Sequence, residues 1–252
     1  MNDRAASETV GFVLAFVLVT ATIGAVYATG IEGLHDAQRF EQVNNAERAF
    51  DVLADNVADV HREGVPSRAT ELRLGGATLD YRDPVTIRVQ VNETGPSTRN
   101  ATYVMNTNPL VYSGVEDSEL VYVGGAVFRS SNGGSVMRRE PGYVFDDERV
   151  VIPFLITYPR GDTDSISGDS TVLIVAYHQS AALDGQFRTG STADVRTNVT
   201  VESPRAVAWK RYFERKGLTA IDGDATDGSV TYQLVTDRVV VPETVVEFEL
   251  KR

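Results

Sequence analysis

The sequence contains an uncharged, mostly apolar run of 23 residues from Thr9 to Ile31. A helix rises about 1.5 Å per residue, so about 20 apolar residues cover the roughly 30 Å hydrocarbon core of a membrane. A core helix of a water-soluble domain needs only one apolar stripe, whereas this run carries no charge on any face. The run therefore predicts a membrane-spanning helix over residues 10–30, with a lipid membrane as its partner.

The charges that flank this run favour an N-terminus inside the cell. Arg4 precedes the run, whereas Glu32 follows it and the next basic residue is Arg39. Cytoplasmic flanks carry the excess of positive charge in membrane proteins. The sequence therefore predicts a single-pass protein of the cell membrane, with residues 1–9 as a short cytoplasmic leader and the rest of the chain, after the spanning helix, outside the cell.

An alternative is a cleaved secretory signal peptide, for which Val26-Tyr27-Ala28 offers a small-residue cleavage site. The apolar core of an ordinary signal has about 7 to 15 residues, and this run is longer. Helical patterning also resumes directly after it, which favours the spanning helix.

The composition favours a location outside the cell, in an environment of high salt. The chain has a net charge of −11, and only three of its 24 basic residues are lysine. Such an acidic surface stays hydrated in brine, where the Debye length is about 3 Å at 1 M salt. Nucleic acid is excluded as a partner because its recognition needs a concentrated basic face. The absence of cysteine excludes disulfides and thiolate chemistry.

An amphipathic helix is predicted over residues 31–64. Its apolar residues follow a 3-4 spacing that places them on one stripe: Val43, Ala46, Phe50, Leu53, Val57 and Val60. Gly64 and Pro66 then supply a stop signal. The stripe has two candidate partners, namely a sheet of the same chain or a second helix in a coiled coil, and its length of less than three heptads favours the sheet.

A row of acidic residues lies on the opposite side of this helix, at Glu47, Asp51, Asp55 and Asp59. Like charges four residues apart repel each other, so the row is tolerable mainly where water and salt screen it. We therefore predict a solvated face.

The remaining chain, residues 65–252, reads as short strands separated by turn residues. Gly75-Gly76 between two strand-like segments predicts a β-hairpin, and Val85 to Val91 alternates apolar and polar residues. Many short strands with such turns are typical of a mostly antiparallel sandwich. The predicted fold class is α+β: a long N-terminal helix, first membrane-spanning and then amphipathic, followed by a β-rich, sandwich-like extracellular head.

One short helix is predicted within the C-terminal half of the chain. Ser203 is its expected N-cap, Pro204 its first residue and Gly217 its terminator. Trp209 falls among the apolar positions of this helix, so we expect it in the core rather than at a ligand site.

Three Asn-x-Ser/Thr sequons mark candidate glycosylation sites at Asn92, Asn100 and Asn198. All three follow the spanning helix and so fall on the predicted outer side. Asn92 and Asn100 sit in a Gly-Pro-Ser-Thr stretch that predicts an exposed loop. Asn198 falls within a predicted strand and is the least accessible candidate.

No arrangement of residues predicts catalysis. The three histidines show no metal-ligand spacing, and the sequence lacks a zinc-protease motif, a phosphate-binding glycine loop and a serine elbow. The acidic groups at 146–148 and 162–164 offer oxygen ligands for calcium, but neither follows a known loop pattern, which favours solvated loops. We therefore predict a protein that is not an enzyme, with no cofactor and no metal.

The N-terminus, Arg4-Ala5-Ala6-Ser7-Glu8-Thr9-Val10-Gly11-Phe12-Val13-Leu14, resembles archaeal type IV pilins and archaellins, and haloarchaeal pilin-like proteins in particular. The familiar haloarchaeal form has Ser-Pro-Val-Ile-Gly where this chain has Ser7 to Gly11. Residues 43–68 and the segment Gly124-Gly125-Ala126-Val127-Phe128-Arg129 also resemble a haloarchaeal group of uncharacterised pilin-like membrane proteins.

This resemblance implies removal of a leader by a prepilin peptidase. The cut would follow Arg4 or Ala5 and leave Ala5 or Ala6 as the mature N-terminus. Glu8 then has two candidate roles. The resemblance implies pairing of its carboxylate with the N-terminal amine of a neighbouring subunit, whereas the helix dipole alone would hold it in the headgroup layer.

The resulting hypothesis is a membrane-anchored, pilin-like protein of the cell surface, serving as a minor subunit of a type IV pilus with other pilin-like subunits as partners. The alternative is a surface glycoprotein or adhesin with the same topology that does not polymerise. A secreted enzyme is the third and weakest hypothesis. Loss or retention of the leader separates the first two.

Overall fold

The computed structural model describes residues 3–94, 99–114, 118–146, 148–188 and 194–252. The chain divides into two compact units, one ending at Asn44 and the other comprising Asn45–Arg252. We call the second one the head unit. It begins 20 residues before position 65, where the sequence placed the start of the head, because the end of the first helix is buried within it.

Helix α1 spans Asp3–Glu63 and includes both the apolar run and the amphipathic segment. It ends as the sequence predicts: Gly64 adopts a left-handed conformation with φ of 66°, and its N–H donates to the carbonyl of Val60 at 3.1 Å. Glycine reaches this conformation without a steric penalty from a β-carbon, which makes it the common residue after a helix.

The apolar stripe of α1 packs within the head unit. Its buried members are Ala46, Phe50, Leu53, Val57 and Val60, all with no exposed surface. They share a core with side chains of the strands described below. Of the two predicted partners for the stripe, the sheet of the same chain is therefore confirmed.

Seventeen strands and two short helices make up the rest of the described chain. The first strands are β1 (Ser67–Arg73), β2 (Thr78–Tyr81), β3 (Val85–Thr94), β4 (Asn100–Thr107), β5 (Leu110–Ser113), β6 (Glu119–Val123), β7 (Ala126–Ser131), β8 (Gly134–Arg139) and β9 (Val144–Phe145). The next are β10 (Val150–Val151), β11 (Phe154–Pro159), β12 (Ser165–Ser167), β13 (Thr171–Arg188), β14 (Asp194–Glu202), β15 (Thr219–Asp222), β16 (Ser229–Thr236) and β17 (Arg238–Lys251). Helix α2 spans Ala206–Arg215, and a 3-10 turn spans Ala225–Asp227.

The strands form three sheets. The first has the order β1-β13-β17-β10-β9, with β11 also paired to β17; the second has β12-β2-β5-β6-β7-β8; and the third has β15-β16-β14-β3-β4. Among the described pairings, those of β10 and β11 with β17 are parallel and the rest are antiparallel. The α+β, β-rich and mostly antiparallel fold class is confirmed.

The predicted hairpin around Gly75-Gly76 is wrong. Strand β1 pairs with β13 in the first sheet, whereas β2 pairs with β5 and β12 in the second. The glycines do turn the chain with positive φ, but the flanking Leu74 and Ala77 are buried and carry the chain from one sheet to the other. A glycine pair permits a turn without specifying which strands it joins.

Side chains on the two faces of the second sheet enter two different cores. Leu110, Tyr112, Leu120 and Tyr122 join the core that contains α1. The alternate residues, including Val111 and Val121, join the core that contains α2 and the third sheet. Successive side chains of a strand point to opposite faces, so this sheet is buried on both sides.

Helix α2 begins later than predicted. Its N-cap is Arg205, which makes no side-chain capping bond, while the Ser203 hydroxyl accepts from the N–H of Arg205 at 3.1 Å. The predicted terminator is correct, since Gly217 has a φ of 78°. Trp209 is fully buried, which confirms its predicted place in the core.

Candidate functional site

The apolar part of α1 is long and apolar enough to cross a membrane, judged by length and composition. The segment Val10–Tyr27 has a mean hydropathy of 2.3, and none of it is buried. Phe12, for example, is 73% exposed. Such a concentration of exposed apolar side chains is unfavourable in water and favourable in lipid.

Two threonine hydroxyls within this segment are satisfied by the helix itself. The hydroxyl of Thr20 donates to the carbonyl of Phe16 at 2.8 Å. The hydroxyl of Thr22 lies 3.0 Å from the carbonyl oxygen of Leu18 and 2.8 Å from that of Val19. An unpaired hydroxyl is costly in hydrocarbon, so these bonds make the segment compatible with a lipid surrounding.

The predicted processing and subunit-pairing residues lie at the start of α1. The backbone there is helical from Asp3, but the side chains of Arg4, Ala5, Ala6 and Glu8 lie outside the described residues. Leader removal and the role of Glu8 therefore stay predictions.

The acidic row of α1 faces arginines of the head unit, which the sequence did not indicate. Glu47 pairs with Arg129 at 3.0 Å and with Arg138 at 3.7 Å. Asp55 pairs with Arg139, whose guanidinium holds the pKa of that carboxyl below its usual range. The predicted solvated face is thus only partly correct.

The same pattern continues along the row. Asp59 lies 3.6 Å from Arg68 and 3.8 Å from Arg62, and Arg139 also donates to the backbone carbonyl of Asp51 at 3.0 Å. Cations from β1, β7 and β8 therefore offset the repulsion within the row. Sequence periodicity identifies the carboxylates but not their partners, which come from distant strands.

The first two sequons lie at the ends of paired strands. Asn92 of β3 and Asn100 of β4 are directly opposite each other in register. Asn100 is exposed and Asn92 is half-buried, while residues 95–98 of the predicted loop lie outside the described residues. The sequons are therefore part of a hairpin, not of a free loop.

The third sequon lies in the middle of a sheet. Asn198 belongs to β14, as the sequence predicts, and is half-buried. Its side-chain oxygen accepts from the amide of Gln233 at 2.7 Å. This bond holds the Asn198 side chain against its neighbour in the sheet, although a glycan would attach to the amide nitrogen and not to this oxygen.

A cavity of about 620 Å³ lies beside α2. Its lining residues are Val207, Lys210, Arg211, Glu214, Gly223, Asp224, Ala225 and Thr226. Most charged groups there already have partners within the head unit: Lys210 donates to the carbonyl of Gly223 at 2.8 Å, and Glu214 accepts from the hydroxyl of Tyr232 at 3.2 Å. No histidine, serine or cysteine is among the residues that line this cavity.

Within the described residues, no group of three or more His, Asp or Glu side chains could hold a metal ion. Asp146 accepts from the backbone N–H groups of Glu148 and Arg149, at 3.1 and 2.6 Å, and so closes its own turn. Asp147 lies outside the described residues.

Behind α2, aromatic side chains form a continuous cluster. Trp209 contacts Phe128, Tyr143, Tyr212 and Phe213, with ring centroids 5.6 to 6.2 Å apart. Burial raises the pKa of Tyr143, so its phenol stays neutral. This cluster is a packing core that fixes α2 on the sheets.

Comparison with known proteins gives a family. The sequence profile of that family matches residues 4–249, which is nearly the whole chain. The chain belongs to DUF7289, a family of unknown function.

An uncharacterized protein of Archaeoglobus fulgidus is 32% identical to this DUF7289 chain over 112 residues. The match covers 43% of this chain and 37% of that relative's length. The crystal structure of the ywiB protein from Bacillus subtilis aligns with 61% of this chain and 89% of its own chain, at 9% identity. Its TM-score of 0.14 is too low to indicate a shared fold.

Proposed function

We propose that this protein is a non-enzymatic, pilin-like protein of the cell surface, anchored by a single pass of α1. Its N-terminus is cytoplasmic and its β-rich, sandwich-like head is extracellular, and it serves as a minor subunit of a type IV pilus. One observation carries the proposal: a single helix supplies first a lipid-length apolar segment and then a stripe that is buried in the head unit.

Small residues support a role in assembly. Gly11 and Ala15, like Ala21 and Ala25, are spaced by four residues along the apolar segment. A β-carbon built on Gly11 meets nothing within 4 Å, so this position is open to a neighbouring helix. Small residues at this spacing allow membrane helices to approach closely.

The anchor is tested first, by washing membranes that contain the full-length protein with alkaline carbonate. We expect the protein to stay in the membrane pellet, because the apolar segment is exposed and satisfies its own hydroxyls. A matched variant with Val17→Arg and Leu18→Arg near the centre of that segment should move to the soluble fraction, since each central arginine costs about 3 kcal/mol. Release of the unchanged protein by carbonate would contradict the anchor.

Processing is tested by intact-mass analysis of the membrane-extracted protein. A mass that corresponds to a start at Ala5 or Ala6 supports the pilin-like hypothesis. A mass with Met1 retained contradicts it and supports the alternative, a surface glycoprotein or adhesin that does not polymerise. The same spectrum reports any glycan mass, and Asn→Gln substitution at 92, 100 or 198 assigns it to a sequon.

A further inference from the structure

Two stretches of strand in the head unit are exposed at every position. One is Gln179–Leu183 of β13, and the other is the whole of β15. Each carries an exposed large apolar side chain: Leu183 and Ile221 are both 57% exposed. Most strands of the head unit bury the side chains of at least one face. These two stretches bury neither face, and so they bury little apolar surface within their own chain.

Both stretches also have an open edge. The partner of β13 on one side, β1, ends its pairing at Tyr177, so that from Ser180 onward β13 pairs only with β17 among the described strands. Strand β15 is the outer strand of the third sheet and, among the described strands, pairs only with β16; Ile221 lies at an irregularity in this pairing, between Ala220 and Asp222. The pairing of β13 with β17 is irregular at 178–180 and at 183–185, so the regular part of the open edge of β13 is four residues long. Strand β15 also has four residues.

Charge distinguishes the two edges. Arg188 and Arg238 face each other directly across β13 and β17, are exposed, and form no ion pair with any described side chain. Like charges in this position destabilise a sheet. Most other arginines of the head unit have a carboxylate partner. Two residues after β15, Asp224 is fully exposed, and hydrogen bonds from Thr226 lower the pKa of its carboxyl.

We propose that the open edge of β13 receives β15 of a second copy of this chain, side by side and parallel. In that orientation Ile221 lies against Leu183, and the chain that follows β15 brings Asp224 towards Arg188 and Arg238. The exposed N–H and C=O groups of the two edges then satisfy each other. Arg188 and Arg238 have no carboxylate partner among the described residues, so an acidic chain complements their charge. This chain itself carries a net charge of −11.

The proposed contact joins two different surfaces, so each copy keeps one edge of each kind. Contacts of this type continue from copy to copy and build rings or open filaments instead of closed dimers. This inference rests on the proposed function as a pilus subunit and names the strands through which the heads of that assembly would meet.

Cysteine cross-linking tests the contact, because the chain has no native cysteine. Full-length Leu183→Cys and Ile221→Cys proteins are mixed in detergent micelles and oxidised. We expect a cross-linked dimer from the mixture, and a ladder of multimers from the chain that carries both substitutions. The matched control pairs Ile221→Cys with Val104→Cys, which is 46% exposed on β4 and should give no cross-link above background.

Orientation has its own control in Ser180→Cys, at the other end of the open edge. A higher yield with Ser180→Cys than with Leu183→Cys would overturn the parallel orientation. Efficient cross-linking of Leu183→Cys to itself would overturn the heterologous contact, because it requires the same surface on both copies.

Charge reversal tests the arginine pair. Adding Arg188→Glu and Arg238→Glu to the Leu183→Cys chain should lower the cross-link yield about tenfold, and adding Asp224→Arg to its Ile221→Cys partner should restore it. Near-UV circular dichroism checks that each variant is folded. If the leader is removed but every cross-link fails, this contact is overturned and the proposed function stands. If the leader is retained but the cross-links form efficiently, the proposed function is overturned and the contact stands.

Discussion

Gly185 lies where the pairing of β13 with β17 is irregular, and the ring of Tyr103 from β4 occupies the space beside its α-carbon. A β-carbon at this position would overlap the ring. Tyr103 in turn packs edge-on against Phe187, with ring centroids 6.3 Å apart, so the ring has little freedom to move away. The close approach of β4 to β13 therefore depends on glycine.

We expect Gly185→Ala to lower the free energy of unfolding by about 1–3 kcal/mol, the usual cost of overpacking a core. Chemical denaturation of the purified protein measures this change. Gly142→Ala is the matched control, because a β-carbon at Gly142 meets nothing within 4 Å. Equal effects of the two substitutions would show that the ring does not hold β13 in place.

His61 supplies a pH-dependent contact between α1 and β17. Its Nδ1 lies 2.8 Å from the hydroxyl of Thr244. Burial, with a smaller contribution from Arg62, lowers the pKa of His61 below its ordinary value of about 6.5. The unfolded chain therefore binds a proton more readily than the folded chain.

This difference fixes the sign of the pH dependence. The contribution of His61 to stability is fully present above about pH 6.5 and is lost as the pH falls from there towards the lowered pKa of the folded state. We expect His61→Gln to remove this part of the pH dependence between pH 7 and 5. Thermal unfolding at several pH values measures it, and His178→Gln is the control. An unchanged profile in His61→Gln would contradict the assignment.

At the scale of elements, the stripe of α1 is a structural part of the head unit. Phe50 is fully buried there, whereas Val52, two residues further along the same helix, is 49% exposed. We expect Phe50→Ala to cost about 3–5 kcal/mol and Val52→Ala less than about 0.5 kcal/mol, as measured by urea denaturation. Similar costs for both substitutions would mean that α1 does not pack through this face.

The sequence predicts elements whose signal is local and fails where partners are distant. The 3-4 spacing from Ala46 to Val60 identifies the buried face of α1 without any knowledge of the sheets. The partner of β1 is different: Ser67 pairs with Tyr177, more than 100 residues away. A turn signal at Gly75-Gly76 holds no information about that strand, which is why the hairpin prediction was wrong.

The candidate sites follow the same rule. The apolar segment and the sequons are contiguous in sequence and are recognisable there. Arg129 and Arg139, which pair with the acidic row of α1, lie about 80 residues from their partners. The opposed Arg188 and Arg238 become visible only once the register of β13 with β17 is known. Long-range pairing, not residue type, separates what the sequence predicts from what it does not.

At the scale of the whole molecule, the boundary of the folded head can be tested by truncation. The head unit begins at Asn45, before the buried stripe of α1. A chain starting at residue 65 lacks Phe50, Leu53 and Val57, which are all fully buried. Loss of each large apolar side chain costs about 2–5 kcal/mol, whereas a whole domain is stable by only about 5–15 kcal/mol. The cost of losing these three side chains is therefore comparable to the whole stability of a domain.

We expect residues 45–252 to be found in the aqueous fraction and to unfold cooperatively on heating, since this fragment keeps the stripe and lacks the apolar segment. Residues 65–252 should show no cooperative transition and should aggregate, because the core that α1 covers is left open to water. A third fragment, residues 45–252 with Phe50→Ala, should fold with a lowered melting temperature. Differential scanning calorimetry measures the melting temperature and the cooperativity of unfolding for the three fragments. Cooperative unfolding of residues 65–252 would show that the strands close their own core, and α1 would then be an anchor alone.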